Sequence, residues 1–400
     1  MKILKTVGTL LIMGLIYVLY ASYNSEKNSE VIIGAREVPS SDLKKGTIFI
    51  SPQGNNPACT QSHPCNLERG IKKSKAGDTV FFRAGIYDMS TLHNPQKRIK
   101  LHSGTPEKPI TYESYPNEMA IFDGSKLKEN ELGSIIVRDY THLRKIEIRN
   151  MNKVGIKVRG DHNLIEGINS HHNHSAGIHI YSKNGYKLNS VGGSYNTIKD
   201  CKVHHNSDIN LASKGNDSDG ISVSNGINNL ITHTSVYANS DDGIDTWKSI
   251  NTTIEYSLSY QNGKEKGDGK GFKLGGDNNL SSPLGSGAIA RFNIAYDNRN
   301  GGFSENSGKK VILQNNSAYK NGGYGFIAFN AKSSLLNNIS YKNEKKEFYG
   351  NTKIATNNSW QLKKIINDND FISLKFDSPN FLHPKQNTKL STIGTYISHN

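Results

Sequence analysis

A short phrase ending in asparagine recurs seven times between residues 170 and 343, and this repeat constrains the fold more than any other feature of the chain. Successive asparagines are 33, 33, 23, 36, 23 and 22 residues apart, so the basic unit has 22 or 23 residues and the longer gaps contain insertions. A fixed period of this size indicates a solenoid. The unit is too short for two helices, and its β-branched, aromatic, Asn and Gly residues favour one coil of an all-β parallel β-helix. The repeated asparagines are Asn173, Asn206, Asn239, Asn262, Asn298, Asn321 and Asn343.

The chain is basic, with a formal net charge of +14 at pH 7. An excess of basic over acidic residues favours a polyanionic partner such as nucleic acid, an anionic membrane or an acidic polysaccharide. The alternative is that lysine side chains simply cover the outside of the coils. Nucleic acid is disfavoured as a partner, because the chain has no recognised nucleic-acid-binding motif and has the features of an exported protein.

The amino terminus resembles an export signal, because Lys2 and Lys5 precede an apolar run over residues 7–20. We interpret residues 1–23 as a signal peptide or membrane anchor and residues 24–45 as a polar linker. Residues 46–351 are then the β-helix, and residues 352–400 are a carboxy-terminal cap or tail packed on it. A monomer is expected, either secreted or anchored to the membrane by its first segment.

The three cysteines and one amphipathic segment fit this organisation. Cys59 and Cys65 could form a disulfide in an oxidising compartment, and a metal-binding pair is the weaker alternative. Cys201 is expected to be a small buried apolar residue. Residues 66–75 predict a short helix that covers the open amino-terminal end of the solenoid, where strand edges are unpaired.

The repeat predicts which polar residues lie on neighbouring coils. A glycine and an inward-facing apolar residue follow each of the first six asparagines, with insertions in two coils. Counting from these glycines places Asp219 and Asp242 at equivalent positions on adjacent coils. It places Asp245, on the same coil as Asp242, next to Lys273 of the following coil, and adjacent coils are about 4.8 Å apart. The same counting brings Asp241 and Lys270 to this patch.

Four carboxylates within one coil spacing repel each other unless a cation lies among them. All-oxygen ligands suit calcium, and we expect Asp219, Asp241, Asp242 and Asp245 to bind Ca²⁺. The alternative is that Asp-Gly pairs only form turns, which is the usual explanation for a single pair. For Lys273 the alternative is an ordinary surface lysine.

Other recurring polar residues are assigned to structure. The asparagines are expected to form a hydrogen-bonded ladder, and the tyrosines two positions before them a stacked column. Five histidines occupy repeat positions and are treated as members of these stacks, with metal binding as the minor alternative: His171, His172, His174, His204 and His205.

A calcium patch with an adjacent lysine suits β-elimination on a uronic-acid polymer. Calcium bound to the substrate carboxylate acidifies the proton on C5, and Lys273 is the expected base that removes it. A nearby divalent cation and partial burial lower a lysine pKa, whereas Asp245 raises it unless its charge is committed to the metal. Lys270, Arg291 and Arg299 are candidate ligands of substrate carboxylates, with ordinary surface residues as the alternative for both arginines.

Two segments resemble the core of polysaccharide lyase family 9: Asn-Ser-Asp-Asp-Gly-Ile-Asp-Thr-Trp at residues 239–247 and Gly-Phe-Lys-Leu-Gly-Gly at residues 271–276. The resemblance covers roughly residues 46–375. It implies a right-handed parallel β-helix and a pectate lyase-like activity. It further implies that Asp219, Asp241, Asp242 and Asp245 hold the catalytic calcium and that Lys273 is the base. Residues 263–270 and 277–287 depart from the family pattern beside the site.

Two other functions remain open from the sequence. A polygalacturonase-type hydrolase also uses an aspartate cluster, with two carboxylates as acid and base. Such enzymes have Gly-His-Gly and Arg-Ile-Lys on later coils, whereas this chain has no Gly-His-Gly and has Arg98-Ile99-Lys100 before the aspartates. A non-catalytic adhesin or tailspike-like glycan binder is the second alternative, because a fold alone does not specify a function.

Overall fold

The computed structural model describes residues 46–182, 193–277, 279, 281–363 and 365–395. The predicted signal or anchor and the linker lie outside these residues. The described chain is wound into coils whose strands form three parallel sheets, named here A, B and C. The prediction of an all-β parallel β-helix is therefore confirmed. Within the described ranges, no helix has the length and apolar character needed to span a bilayer.

Sheet A starts at the amino-terminal edge and has twelve strands. In spatial order they are β1 (Thr47–Ile50), β2 (Thr79–Phe82), β5 (Ile110–Ser114), β8 (Thr141–Arg144), β11 (Leu164–Glu166), β14 (Thr197–Lys199), β17 (Leu230–Thr232), β20 (Thr253–Glu255), β23 (Ala288–Arg291), β26 (Val311–Gln314), β29 (Ser334–Leu336) and β32 (Ile354–Thr356). Every adjacent pair is parallel, as a solenoid of single-turn coils requires.

Sheets B and C have ten strands each. Sheet B contains β3 (Gly85–Asp88), β6 (Ala120–Asp123), β9 (Ile146–Arg149), β12 (Asn169–His171), β15 (Lys202–His204), β18 (Ser235–Tyr237), β21 (Leu258–Tyr260), β24 (Ile294–Tyr296), β27 (Ser317–Tyr319) and β30 (Ile339–Tyr341). Sheet C contains β4 (Ile99–Lys100), β7 (Ile135–Val137), β10 (Ile156–Val158), β13 (Ile178–Tyr181), β16 (Ile221–Ser224), β19 (Ile244–Asp245), β22 (Phe272–Gly275), β25 (Phe303–Asn306), β28 (Tyr324–Ala328) and β31 (Lys346–Gly350).

The repeated asparagines form the predicted ladder at the turn from sheet B to sheet C. Each side-chain Nδ2 donates to Oδ1 of the asparagine on the next coil, at 2.9–3.0 Å, and the backbone N–H of the same residue donates to that oxygen as well. The ladder also explains the glycine in each repeat. A Cβ at Gly243 would lie 2.8 Å from Nδ2 of Asn262, and one at Gly271 would lie 2.8 Å from Nδ2 of Asn298.

The core is a column of apolar side chains from all three sheets. The residue after each repeat glycine is fully buried, as predicted, and near the carboxy-terminal end these residues are stacked phenylalanines. The rings of Phe272 and Phe303 are 4.6 Å apart, and those of Phe303 and Phe326 are 4.9 Å apart. Trp360, in the 3-10 helix Ser359–Gln361, continues this stack 5.2 Å from Phe326.

Helix α1 (Leu67–Lys73) packs its buried Gly70 and Ile71 near the first strand of sheet A. The side chain of Asn66 caps it by accepting from the backbone N–H of Arg69 at 2.9 Å. The predicted amino-terminal helix is therefore present. Beside it, Cys59 and Cys65 are joined in a disulfide, which excludes the alternative of a metal-binding pair, and Cys201 is buried as expected. The remaining 3-10 helices are Met89–Thr91 and Asp368–Asp370.

Sheet B has the predicted aromatic column on its outer face. His171, His204 and Tyr237 stack at 4.8 and 4.7 Å, and tyrosines continue the column on later coils. Residues 366–393 fold over the later part of this column. Phe376 contacts Tyr260 at 4.7 Å, Phe381 contacts Tyr319 at 5.9 Å and Phe371 contacts Tyr341 at 5.2 Å.

Asn321 provides a test of how much the ladder stabilises the fold. Its Oδ1 accepts from the backbone N–H and Nδ2 of Asn298 at 3.2 and 2.9 Å. We expect Asn321→Ala to lower the free energy of unfolding by about 3 kcal/mol, because two buried donors lose their acceptor. The measurement is urea unfolding followed by circular dichroism. Asn351→Ala, at an exposed asparagine outside the ladder, is the control, and equal losses in both variants would contradict the assigned role.

Candidate active site

The register of sheet C places the predicted site residues as the repeat indicated. Ser222 of β16 pairs with Asp245 of β19, and Asp245 pairs with Lys273 of β22. Gly220 donates its backbone N–H to the carbonyl of Asp242 at 3.0 Å, so that Asp219 and Asp242 occupy equivalent positions on adjacent coils. The side chains therefore converge because three successive coils are held in register.

Asp219, Asp241 and Asp242 form a compact acidic cluster at the turn from sheet B to sheet C. Each offers a carboxylate oxygen within 4.8 Å of the others, and all three residues are buried. Asp241 and Asp242 lie between β18 and β19, and Asp219 lies just before β16. Asp245 lies at the edge of this cluster, also buried, on the outer face of β19.

The cluster has the features expected of a cation site. Oδ1 of Asp219 and Oδ1 of Asp245 are buried and have no hydrogen-bond partner in the described part of the chain. Burial and then the charge of Asp242 raise the pKa of Asp241 to about 8, while burial raises that of Asp245 to about 6. Burial and the charges of Asp245 and Asp241 also raise the pKa of Asp219. A divalent cation with oxygen ligands removes this repulsion, so the donor set fits calcium.

Lys273 extends from the next coil into the acidic cluster. Its Nζ lies 2.9 Å from Oδ2 of Asp242, 3.2 Å from Oδ2 of Asp268 and 3.3 Å from Oδ2 of Asp245. Burial lowers the pKa of this lysine, but the charges of Asp245, Asp242 and Asp219 outweigh burial and raise it overall. In the protein without metal, Lys273 is therefore an ammonium that partly neutralises the cluster.

The insertion at residues 263–270 folds onto the cluster and adds a site residue, Asp268, that was not among the predicted ones. The backbone N–H of Asp268 donates to Oδ1 of Asp241 at 2.5 Å, and its carboxylate pairs with Lys270 at 2.8 Å as well as with Lys273. The backbone N–H of Lys270 donates to Oδ1 of Asp242 at 2.7 Å. The only sequence signal for Asp268 was its place between two glycines, two residues before Lys270.

The two predicted arginines have other roles in the structure. Arg299 donates from Nη1 to the carbonyls of Glu265 and Gly267 at 2.6 and 2.9 Å, so it holds the insertion in place. Arg291 is at the end of β23 in sheet A and forms an ion pair with Glu255 at 2.6 Å. Each coil passes through all three sheets, and Arg291 lies on a different sheet from Asp245 and Lys273, so its contribution to the site stays a prediction.

The chain matches the family model described as "Pel9A-like, right handed beta helix region" over residues 48–338. It is 28% identical over 363 residues to pectate lyase L of Paenibacillus polymyxa, covering 84% of this chain and 78% of that protein. It is also 28% identical over 360 residues to pectate lyase L of Dickeya chrysanthemi, covering 84% of this chain and 81% of the relative.

Two solved structures are similar in fold. Pectate lyase Pel9A superimposes with a TM-score of 0.70 and 23% identity, covering 90% of this chain and 94% of its own. A rhamnogalacturonan lyase superimposes with a TM-score of 0.68 and 20% identity, covering 88% of this chain and 100% of the rhamnogalacturonan lyase chain. These similarities confirm that the β-helix is right-handed.

Calcium is expected to raise the melting temperature far more at pH 8.5 than at pH 5. The pKa of Asp241 in the folded protein, about 8, lies above its unfolded value near 3.9, so the metal-free protein loses stability as pH rises across this window. At pH 5 protons compete with calcium for the carboxylates of the cluster. At pH 8.5, calcium at a hundred times its dissociation constant stabilises the folded state by about 2.7 kcal/mol. The measurement is thermal unfolding with and without calcium.

The matched variants for this experiment are Asp241→Asn and Asp377→Asn. Asp241→Asn removes one charge from the cluster, so we expect a higher melting temperature without metal at pH 8.5 and little response to calcium. Asp377 is exposed and far along the chain, and its variant should respond as the parent protein does. A calcium response that persists in Asp241→Asn would exclude the cluster as the site.

Proposed function

Since the chain belongs to the family of Pel9A-like right-handed β-helix proteins and is a polysaccharide lyase, we propose that it cleaves polygalacturonate, or pectate, by calcium-dependent β-elimination. The observation that carries this proposal is the contact of a lysine with a buried acidic cluster. Lys273 lies 2.9 Å from Asp242, and Asp242 belongs to the only group of potential metal ligands found among the described residues.

Asp219, Asp241, Asp242 and Asp245 are the proposed calcium ligands. When bound there, calcium supplies a Lewis acid that draws charge from the substrate carboxylate and acidifies the proton on C5. The chain's contribution is the preformed position of the four side chains, which two adjacent coils fix before any ligand arrives. Their mutual repulsion favours binding of a cation, because it is relieved only when a positive charge is present.

Lys273 is the proposed base, and its environment accounts for how it loses its proton. Burial alone lowers its pKa, and only the neighbouring carboxylate charges reverse this effect. Once those charges are committed to a bound cation, burial and the positive charge both favour the neutral amine. The expected result is a base that works at alkaline pH.

The elimination can be written with all its electrons assigned. Nζ of Lys273 takes the proton from C5, and the electrons of that C–H bond form the C4–C5 double bond. The C4–O bond breaks, and the leaving oxygen takes a proton from water. Lys270, which is bound through its backbone to the cluster, is proposed to contact a substrate carboxylate through its ammonium group.

An exported location is proposed together with this activity. The disulfide between Cys59 and Cys65 is compatible with an oxidising compartment. We propose that residues 1–23 act as a signal or anchor, that residues 46–351 form the lyase domain with residues 352–400 as its cap, and that the protein acts as a monomer. Its partner is an acidic polysaccharide, and no resident cofactor other than calcium is proposed.

The test is an ultraviolet assay of purified protein with polygalacturonate at alkaline pH, with and without calcium. The elimination product has a double bond conjugated to the carboxylate and absorbs where the substrate does not. We expect calcium-dependent absorbance in the parent protein and a loss of at least about a hundredfold in Lys273→Ala, the lower end for removal of a general base.

Lys310→Ala is the matched control, because it removes an exposed lysine on a later coil. It should retain the parent rate. Activity that is insensitive to chelation, or that survives in Lys273→Ala, would contradict the proposed mechanism. Turnover of another acidic glycan but not of polygalacturonate would retain the mechanism and change the substrate.

A further inference from the structure

A cluster of cationic side chains lies on sheet C at the amino-terminal side of the acidic cluster. Lys157 and Arg159 project from the region of β10, and Arg98, immediately before β4, interacts electrostatically with both. Arg98 belongs to the Arg98-Ile99-Lys100 motif, which precedes the aspartates, whereas the equivalent motif of polygalacturonase-type hydrolases follows them. The fold brings it to the same sheet as Asp245 and Lys273.

Lys157 is in the same column of side chains as the catalytic candidates. It pairs with His179 of β13, which pairs with Ser222, which pairs with Asp245. Three coil steps therefore separate Lys157 from Asp245, or about 14 Å at the spacing of neighbouring strands. A polymer lying along the solenoid axis over Lys273 passes directly over this cationic cluster.

The cluster is electrostatically unfavourable without a ligand. Burial, together with the charges of Arg98, Arg159 and Lys153, lowers the pKa of Lys157 to about 8. No carboxylate of the described residues is among the groups that act on Lys157 or Arg98. Nε of Arg98 is buried without a hydrogen-bond partner in the described chain. Such an arrangement costs stability, so packing alone does not explain it.

One of the cationic groups is held in a fixed position. Arg159 donates from Nε to the hydroxyl of Tyr181, and its guanidinium carbon lies 4.9 Å from the centre of that ring. His179, between this group and the acidic cluster, accepts or donates a hydrogen bond with Ser224 at 3.0 Å. Burial lowers the pKa of His179 to about 4, so it adds no charge at neutral or alkaline pH.

The opposite side of the site has a different character. Beyond Lys273 the column continues with Ser304, Ile327 and Tyr349, none of which is charged. Tyr349 is exposed and lies against the exposed ring of Phe329 at 5.0 Å. Within this column, the cationic side chains therefore lie on the amino-terminal side of Lys273 and none lies beyond it.

We propose that Arg98, Lys157 and Arg159 form a subsite that binds a carboxylate of the same polyuronate chain, two to three coils to the amino-terminal side of the calcium cluster. This inference rests on the proposed function for the identity of the polymer. A polyuronate has a carboxylate on each sugar, so a chain extended along sheet C supplies an anion at this distance. The subsite therefore favours long, unesterified stretches of acidic polymer.

The test compares Lys157→Gln and Arg159→Gln with the parent protein on an octamer and a trimer of galacturonate. The trimer is too short to reach from the calcium cluster to the subsite. We expect KM for the octamer to rise about tenfold, as for loss of a charge-assisted hydrogen bond, with kcat unchanged. Kinetics on the trimer should not change. The melting temperature of Lys157→Gln should stay the same or rise, because a desolvated, repelled charge is removed.

Arg69→Gln, on the exposed side of helix α1, is the control for a simple loss of positive charge. The proposal is overturned if both subsite variants retain the parent ratio of octamer to trimer kcat/KM within twofold. If the parent cleaves neither substrate, the proposed function fails, and calorimetric binding of acidic octamers decides the subsite separately. Tenfold weaker binding in the variants than in the parent supports it, and equal binding overturns it.

Discussion

The asparagine ladder is the interaction on which the rest of the structure depends. Each side chain accepts two hydrogen bonds from the coil before it and donates one to the coil after it, so every turn from sheet B to sheet C is fixed relative to its neighbours. The acidic residues come within a few positions of this turn. Asp241 and Asp242 therefore meet Asp219 because Asn239 is bonded to Asn206 on one side and to Asn262 on the other.

The same rigidity holds together groups that repel each other. The coils keep the carboxylates buried and close, although burial and mutual charge raise their pKa values. Lys273 reduces this cost in the metal-free protein by pairing with Asp242 and Asp245. A fold held by continuous hydrogen-bond ladders and a continuous apolar core can tolerate such a site, because the mutually repelling carboxylates lie outside that apolar core.

Residues that obey the repeat could be placed from the sequence, and residues outside it could not. The fold, the ladder and the pairing of Asp245 with Lys273 could be counted from the asparagines, because equivalent residues of adjacent coils lie over one another. Asp268 lies in an insertion, where counting fails. Counting identified the coil of Arg291 but not its sheet, because each coil passes through all three sheets. Arg98 is separated from Lys157 by too many residues, and by too irregular a coil, for its position to be inferred.

The backbone conformation of the turns also could not be predicted from the sequence. The residue before each ladder asparagine has a left-handed backbone, with φ between 52° and 55°, yet these positions hold His, Ala, Gln, Asp and Lys. These side chains are not the glycine or asparagine that usually mark such a conformation. Hydrogen bonds between coils impose this left-handed conformation, so the conformational preferences of the individual residues do not predict it.

The insertion at residues 263–270 shows how such an enzyme can change over evolutionary time. Asn262 before the insertion still bonds to Asn298, and Gly271 after it still pairs with the next coil, so the added residues leave the register intact. Loops at this corner can therefore lengthen, shorten or change composition while the residues beneath them stay fixed. Divergence among descendants of one ancestral lyase can then alter the walls of the groove, and with them the preferred polymer, without rebuilding the chemistry.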